Sequence, residues 1–408
     1  MRFSHQEGSA IPEIQELGDK CCGCSACAAI CPVQCIDMVE DATGFRHPVV
    51  DTLTCIGCQC CDMICPCENP REQDEALRVC WMQNKSPELL DKTSSGGVFP
   101  ALAQQVLEKG GRVYGAAFSD DFESVCHQRA DCEKDLEKLL CSKYLQSNKS
   151  VPLYETVRAD LQEGRQVLYS GTACEISGLL GYLDMEHVDR GSLLTMEVVC
   201  HGTPSPALWR AWVKQKERAV ESPLIAMSFR DKRSGWARYS CSYEYQDGSE
   251  TSFPHSQDWY MRAFLTDHAL RPSCFQCPSK RSCGSDLTVG DFWGFQSLHP
   301  ETDCSRGISA VVANTERGAR ALEEVTSSTA MTTGSATFEE VLAGNPALIC
   351  SASAPEDAPA FLKDVARLGS QLTIDELISK WPFKGSLKHR VRAKLGAIKR
   401  RVFGFKRN

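Results

Sequence analysis

Along most of the chain, apolar positions alternate between helical and extended spacing. Val98, Leu102, Val106 and Leu107 fall on one helical face. Gly110–Gly111 stops that helix, and RVYGAAF then reads as a strand. The alternation returns with LYETVRADLQEG as helix, QVLYS as strand, ACEISGLLGYL as helix and LLTMEVV as strand. LIAMSFR and YSCSYEYQDGSETSF form a strand-rich patch in which Asp247–Gly248 marks a hairpin turn. Beyond about residue 310 the spacing is mostly helical. This pattern predicts an α+β (mixed α/β) fold. The first 70 residues behave differently, with short turns, little periodicity and clustered cysteines. The expected division is 1–70 as a small cysteine-rich domain, 71–92 as a polar connector, 93–345 as the larger domain and 346–408 as a helical extension.

Composition narrows the setting. The 408 residues are 42% hydrophobic, enough for a sizeable core. The start, MRFSHQEGSA, lacks the apolar core of a signal peptide, and no stretch has the ~18 apolar residues of a membrane span. A cytoplasmic location is therefore expected, where clustered thiols hold metal more often than they form disulfides. The formal charge of −8 hides an asymmetry. Residues 381–408 carry ten Lys/Arg and no acid, which leaves −18 on the remainder. The acidic body argues against nucleic acid as a partner. In the tail, Leu387, Val391, Leu395, Ile398 and Val402 share one helical face among basic residues. Such a helix suits an anionic membrane surface, an acidic partner or the chain's own acidic body.

The cysteines carry the most specific signal. Cys21, Cys24, Cys27 and Cys31-Pro32 give C-x2-C-x2-C-x3-C-P, and Cys55, Cys58, Cys61 and Cys65-Pro66 repeat it. This is the bacterial ferredoxin run for two 4Fe–4S clusters, in which the fourth cysteine of each run ligates the other cluster. One cluster is thus assigned Cys21, Cys24, Cys27 and Cys65, and the second Cys55, Cys58, Cys61 and Cys31. Zinc sites instead pair two short C-x2–4-C units. Cys22, Cys35, Cys60 and Cys67 fall outside the register and read as packing beside the clusters.

Other stretches have a local reading of their own. Thr93-Ser94-Ser95 can cap a helix, and Gly96–Gly97 allows close backbone approach to a phosphate; an ordinary capped helix is the alternative. Gly171 and Thr172 sit between strand and helix, where open sheets bind ligands. Lys143 and Gln146 suit a phosphate, or else a solvated loop. Asp291 and Trp293 end a strand, where an aromatic stacks near a ring or packs in the core. No G-x-G-x-x-G follows a strand, so a Rossmann-type cofactor site is not supported.

SSGGVF (94–99), SKYLQS (142–147), SGTAC (170–174), CHGTPSP (200–206), FRDKRSGW (229–236), RPSCFQC (271–277) and SDLTVGDFWG (285–294) line up behind the cysteine runs. Together they resemble the coenzyme F420 hydrogenase/dehydrogenase beta-subunit family over about residues 18–345. The resemblance implies an iron–sulfur flavoprotein that moves electrons between clusters, FAD or FMN, and a hydride-exchanging small molecule such as a deazaflavin coenzyme. Its external partner would be a one-electron carrier such as ferredoxin, or a partner redox subunit. A relay subunit with no substrate of its own is the alternative. The resemblance also supports a third cluster on Cys174, Cys200, Cys274 and Cys277, with Cys283 as a competing ligand. His201, which follows Cys200, is the candidate proton donor. Two departures fall beside Cys174: Ala173 stands where the family usually has Pro, and Glu175 where Gln is common.

Overall fold

The computed structural model describes residues 11–72, 75–327 and 331–383. The amphipathic tail around Leu387–Val402 lies outside these residues. Fourteen strands are described. They are β1 (Ile36–Glu40), β2 (Arg46–Val50), β3 (Arg78–Asn84), β4 (Arg112–Phe118), β5 (Val125–Ala130), β6 (Ser147–Asn148) and β7 (Val167–Gly171). The rest are β8 (Leu193–Val198), β9 (Leu224–Asp231), β10 (Ser240–Tyr245), β11 (Glu250–Pro254), β12 (Leu287–Asp291), β13 (Ser309–Ala313) and β14 (Met331–Ser335).

The large domain is built on a nine-stranded mixed sheet of order β14-β3-β13-β12-β8-β7-β4-β5-β6. Its centre, β12-β8-β7-β4, is parallel, and β13, β3 and β14 extend it antiparallel. The predicted helices appear as Val98–Glu108, Val151–Gln162 and Ala173–Met185, each joining strands of this sheet. A separate meander, β11-β10-β9, carries the predicted hairpin, and Gly248 takes the left-handed φ that its turn needs.

One expectation changes. The stretch read as a connector holds β3, whose Cys80, Trp81 and Met82 are buried between β14 and β13. Its apolar run is only four residues long and flanked by charge, so its composition resembles a linker. Beyond residue 313 the described residues are mostly helical, as expected, with β14 the one strand that joins the sheet there. The helices Ala358–Val365 and Ile374–Lys380 bury Phe361, Val365 and Leu377 in the same core as Trp209, Trp259 and Tyr260.

Residues 11–70 dock firmly on this body. Arg271, 1% exposed, donates from Nε to the Cys21 carbonyl (2.6 Å) and through its other nitrogens to the Arg46 carbonyl (2.8 Å) and Gln146 Oε1 (2.9 Å). Tyr154 Oη donates to the Cys24 carbonyl at 2.6 Å. Gly23 must be glycine: a Cβ there would lie 2.4 Å from Gln146 Nε2, and its φ is +70°.

Candidate functional site

The two cysteine runs fold alike. In each, the second residue after the first cysteine (Gly23, Gly57) and the fourth (Ser25, Gln59) adopt left-handed φ, and a short helix follows. The repeat in sequence is therefore a repeat in backbone. The thiols meet crosswise. Those acting on Cys27 are Cys21 and Cys65, then Cys61, and those acting on Cys24 include Cys27 and Cys65. Cys31 in turn sits near Cys55 through Cys35, and near Cys58 through Cys60. Cys31, Cys55, Cys58 and Cys61 line one small cavity.

Burial and mutual repulsion make thiolates costly here. Burial pushes Cys61 up to about 12, and burial with neighbouring thiols drives Cys27 upward. A cationic core relieves such a crowd, and each set offers the four thiols that an iron–sulfur cubane takes. Among the described residues no group of three or more His, Cys, Asp or Glu is placed to hold a single metal ion. A cubane asks for a wider arrangement, one thiolate per iron.

A second thiol set forms from far-separated elements. Cys174 opens the Ala173–Met185 helix after β7, Cys200 follows β8, and Cys274 sits within the short Pro272–Gln276 turn that Cys277 ends. Cys200 has Cys274, Cys174 and Cys277 as thiol neighbours. Burial raises Cys274 to about 12 and Cys277 to about 11. Lys280 Nζ donates to the Cys200 carbonyl and to the Ala347 carbonyl. Cys283 lies elsewhere, 3.5 Å from Glu197 Oε2.

Cys200 also lies on the wall of a cavity of about 490 Å³. The cavity opens at the carboxyl ends of β7, β8 and β12 and at the start of the Val98–Glu108 helix, the usual ligand position in an open α/β sheet. Its volume lies in the range of small-molecule sites. Ser95, Gly97, Lys143, Gly171, Thr172, Asp291, Trp293 and His201 all line it.

Gly96 and Gln146 do not. Gly96 is pressed on the sheet, where a Cβ would fall 2.2 Å from the Met82 carbonyl, and Gln146 holds the Cys22 carbonyl at 3.1 Å. Lys143 donates to the Lys138 and Leu140 carbonyls, and burial lowers its pKa to about 8. Trp293 stacks on Trp236 (centroids 4.7 Å apart, 6° between planes), whereas its neighbour Phe292 is core.

His201 Nε2 lies 2.5 Å from Asp267 Oδ1, and Asp267 takes a left-handed φ of +68°. Glu175 explains one sequence departure. It caps its own helix through the Thr172 N–H (2.8 Å) and pairs with Lys149 Nζ (2.5 Å), a buried ion pair at the cavity edge. Burial works against that carboxylate, but the Lys149 ammonium holds it down at about 2.

Arg230 was concealed within FRDKRSGW. It forks onto Asp291 (2.9 and 3.1 Å) and lies over the Tyr239 ring. His127 carried no motif. It bonds Ser147 Oγ (2.7 Å) and the Ser170 carbonyl (3.0 Å) at the cavity wall.

The chain thus joins a doubled ferredoxin-type cysteine loop to an α/β body with a strand-end cavity. Residues 164–338 match the family described as the C terminus of the coenzyme F420 hydrogenase/dehydrogenase beta subunit. Among solved structures, a chain of the F420-reducing NiFe hydrogenase complex from Methanosarcina barkeri, studied by xenon derivatization, is similar at 17% identity. The match covers 76% of this chain and 92% of that one, at a TM-score of 0.47. No curated protein matches. No helix among the described residues is long and apolar enough to cross a membrane.

Proposed function

We propose that the chain is a cytoplasmic iron–sulfur flavoprotein oxidoreductase. It exchanges electrons with a one-electron carrier or partner subunit, and hydride with a small organic molecule, such as the deazaflavin coenzyme for which its family is named. The observation that carries this reading is the position of Cys200, at once beside Cys174, Cys274 and Cys277 and on the cavity wall. Bound clusters supply single-electron carriage, and a bound flavin, FAD or FMN, supplies the conversion to hydride chemistry.

The chain's own residues divide the work. Cys21, Cys24, Cys27 and Cys65 hold one cluster, Cys55, Cys58, Cys61 and Cys31 a second, and the Cys200 set a third. Ser95, Gly97 and Thr172 present backbone and hydroxyl groups to the cavity. Trp293 offers a ring face, and Asp291 keeps Arg230 fixed behind it. His201, gripped at Nε2 by Asp267, keeps Nδ1 as its remaining proton site. Lys143, lowered to about 8 by burial, lends positive charge that suits an anionic ligand.

Anaerobic titration of the purified, iron-loaded chain with FAD and FMN tests this. Saturable quenching of flavin fluorescence with one flavin per chain is expected, and no binding overturns the flavin reading. One observation favours the relay alternative. Cys55 and Cys58 are only half-buried, and Leu53 beside them is 94% exposed, as a docking face would be. A stable copurifying partner, with no reductase activity for the chain alone, would establish it.

A further inference from the structure

The basic tail and the small cysteine-rich domain are complementary in charge. Residues 384–408, outside the described residues, hold ten Lys/Arg and no acid. Their Leu387, Val391, Leu395, Ile398 and Val402 are spaced for one helical face. Residues 11–70 hold nine Asp/Glu against two Lys/Arg, a formal charge of −7 on 60 residues. Residues 71–380 hold 43 Asp/Glu against 32 Lys/Arg, only −11 on 310 residues. The small domain is therefore the more densely acidic target for such a tail.

That domain also carries an uncovered apolar face. In the β1–β2 hairpin Asp37 stands opposite Val49 and Val39 opposite His47, so these four side chains share the outer face. Ile36 and Val50 point to the core instead. Val39 and Val49 are diagonal neighbours, 49% and 45% exposed, and Leu53 follows the strand at 94%. Asp37 and Asp51 flank them. The ion pairs of this domain engage Glu40, with Arg46 and Arg210, and Asp41, with His47. Asp37 and Asp51 have no basic partner among the described residues, and Asp51 turns only to the Leu53 N–H and the Thr54 hydroxyl.

The tail starts within reach of this face. The Phe383 ring packs 4.8 Å from the His268 ring, and the Trp381 carbonyl accepts from Trp259 Nε1 at 2.8 Å. Arg271, three residues beyond His268, donates to the Arg46 carbonyl of β2 at 2.8 Å. That route from Phe383 to Val49 is at most about 45 Å long, and 25 residues span ~80 Å when extended. We propose that residues 384–408 dock on the outer face of the β1–β2 hairpin. Their apolar side covers Val39, Val49 and Leu53, and their basic side chains pair with Asp37 and Asp51. Leu53 lies two residues before Cys55, so the docked tail also covers the approach to the second loop. The contact needs no bound cluster and stands apart from the redox reading.

The test is cross-linking of the dilute full chain with a carbodiimide, which joins a lysine amine to a carboxylate with loss of water, followed by peptide mass spectrometry. Links from Asp37 or Asp51 to Lys388, Lys394 or Lys399 within one chain are expected. Their yield should fall several-fold in ~1 M NaCl, where charges are screened beyond ~3 Å. It should also fall in the Leu53→Ser chain, which keeps every carboxylate and lysine of the contact. Tail links that fall only on acids of residues 71–380, or only between chains, overturn the proposal. So does a yield that neither salt nor Leu53→Ser changes. Sedimentation of the full chain with phosphatidylglycerol vesicles, in the absence of the Asp37 and Asp51 links, assigns the tail to a membrane surface and overturns it as well.

Discussion

The two cysteine loops share spacing and backbone, yet they meet different surroundings. In the first loop Cys21, Cys24 and Cys27 are all buried, and three residues of the large domain grip its carbonyls. In the second, Cys55 and Cys58 are half-buried and bordered by the exposed Leu53 and Met63. A local sequence repeat thus sets the thiol cage, while tertiary contacts decide which cage faces inward and which faces outward. On this reading the second loop serves outside electrons and the first serves the Cys200 set.

The largest expected effect comes from loosening the first loop. Arg271→Ala strands the Cys21 carbonyl, the Arg46 carbonyl and Gln146 Oε1, each costing ~1–3 kcal/mol when left buried. Urea denaturation should report a loss of about 3 kcal/mol or more. A loss below about 1 kcal/mol would mean the loop is not held as described.

A second test concerns the ground on which the first loop stands. Burial lowers His127 to about 4, so it is neutral in the fold while the unfolded chain protonates near 6.5. Its contribution is fully present above about pH 6.5 and is lost as pH falls towards 4, by about 3 kcal/mol at most. His127→Gln should flatten that part of the stability profile, measured by denaturation at several pH values.

The Ala173–Met185 helix touches both loops, which permits a direct contrast. Gly178→Ala meets Cys24 Sγ at 3.0 Å and Gly181→Ala meets the Ile64 carbonyl at 3.0 Å. Each should cost ~1–3 kcal/mol by overpacking. Only Gly178→Ala should also disturb the spectrum of the first loop's site. The smallest effect is expected at Leu53→Ser, within ~0.5 kcal/mol in stability. The same change should weaken binding of the electron-donating partner in a pull-down or kinetic assay.

What could be read from the sequence follows the range of the interactions. The cysteine register depends on neighbours a few residues apart, and the strands β4 and β7 and the Val98–Glu108 helix show in local periodicity. β3 escaped because its short apolar run sits among charges and becomes central only through pairing with β13 and β14. Gln146 stands in a motif beside Lys143, but its side chain turns to the first loop instead of the cavity. His127 and Lys149 carry no pattern at all, because their role comes from burial beside Glu175.

The central claim is that the thiols of the two loops and of the Cys200 set each hold an iron–sulfur cluster. Iron and inorganic sulfide counted on the anaerobically isolated chain, beside the Cys65→Ala and Cys200→Ala variants, test it most directly. Three clusters predict about twelve of each per wild-type chain, falling by about four in either variant. Zinc in place of iron, or a colourless chain without sulfide, would contradict it.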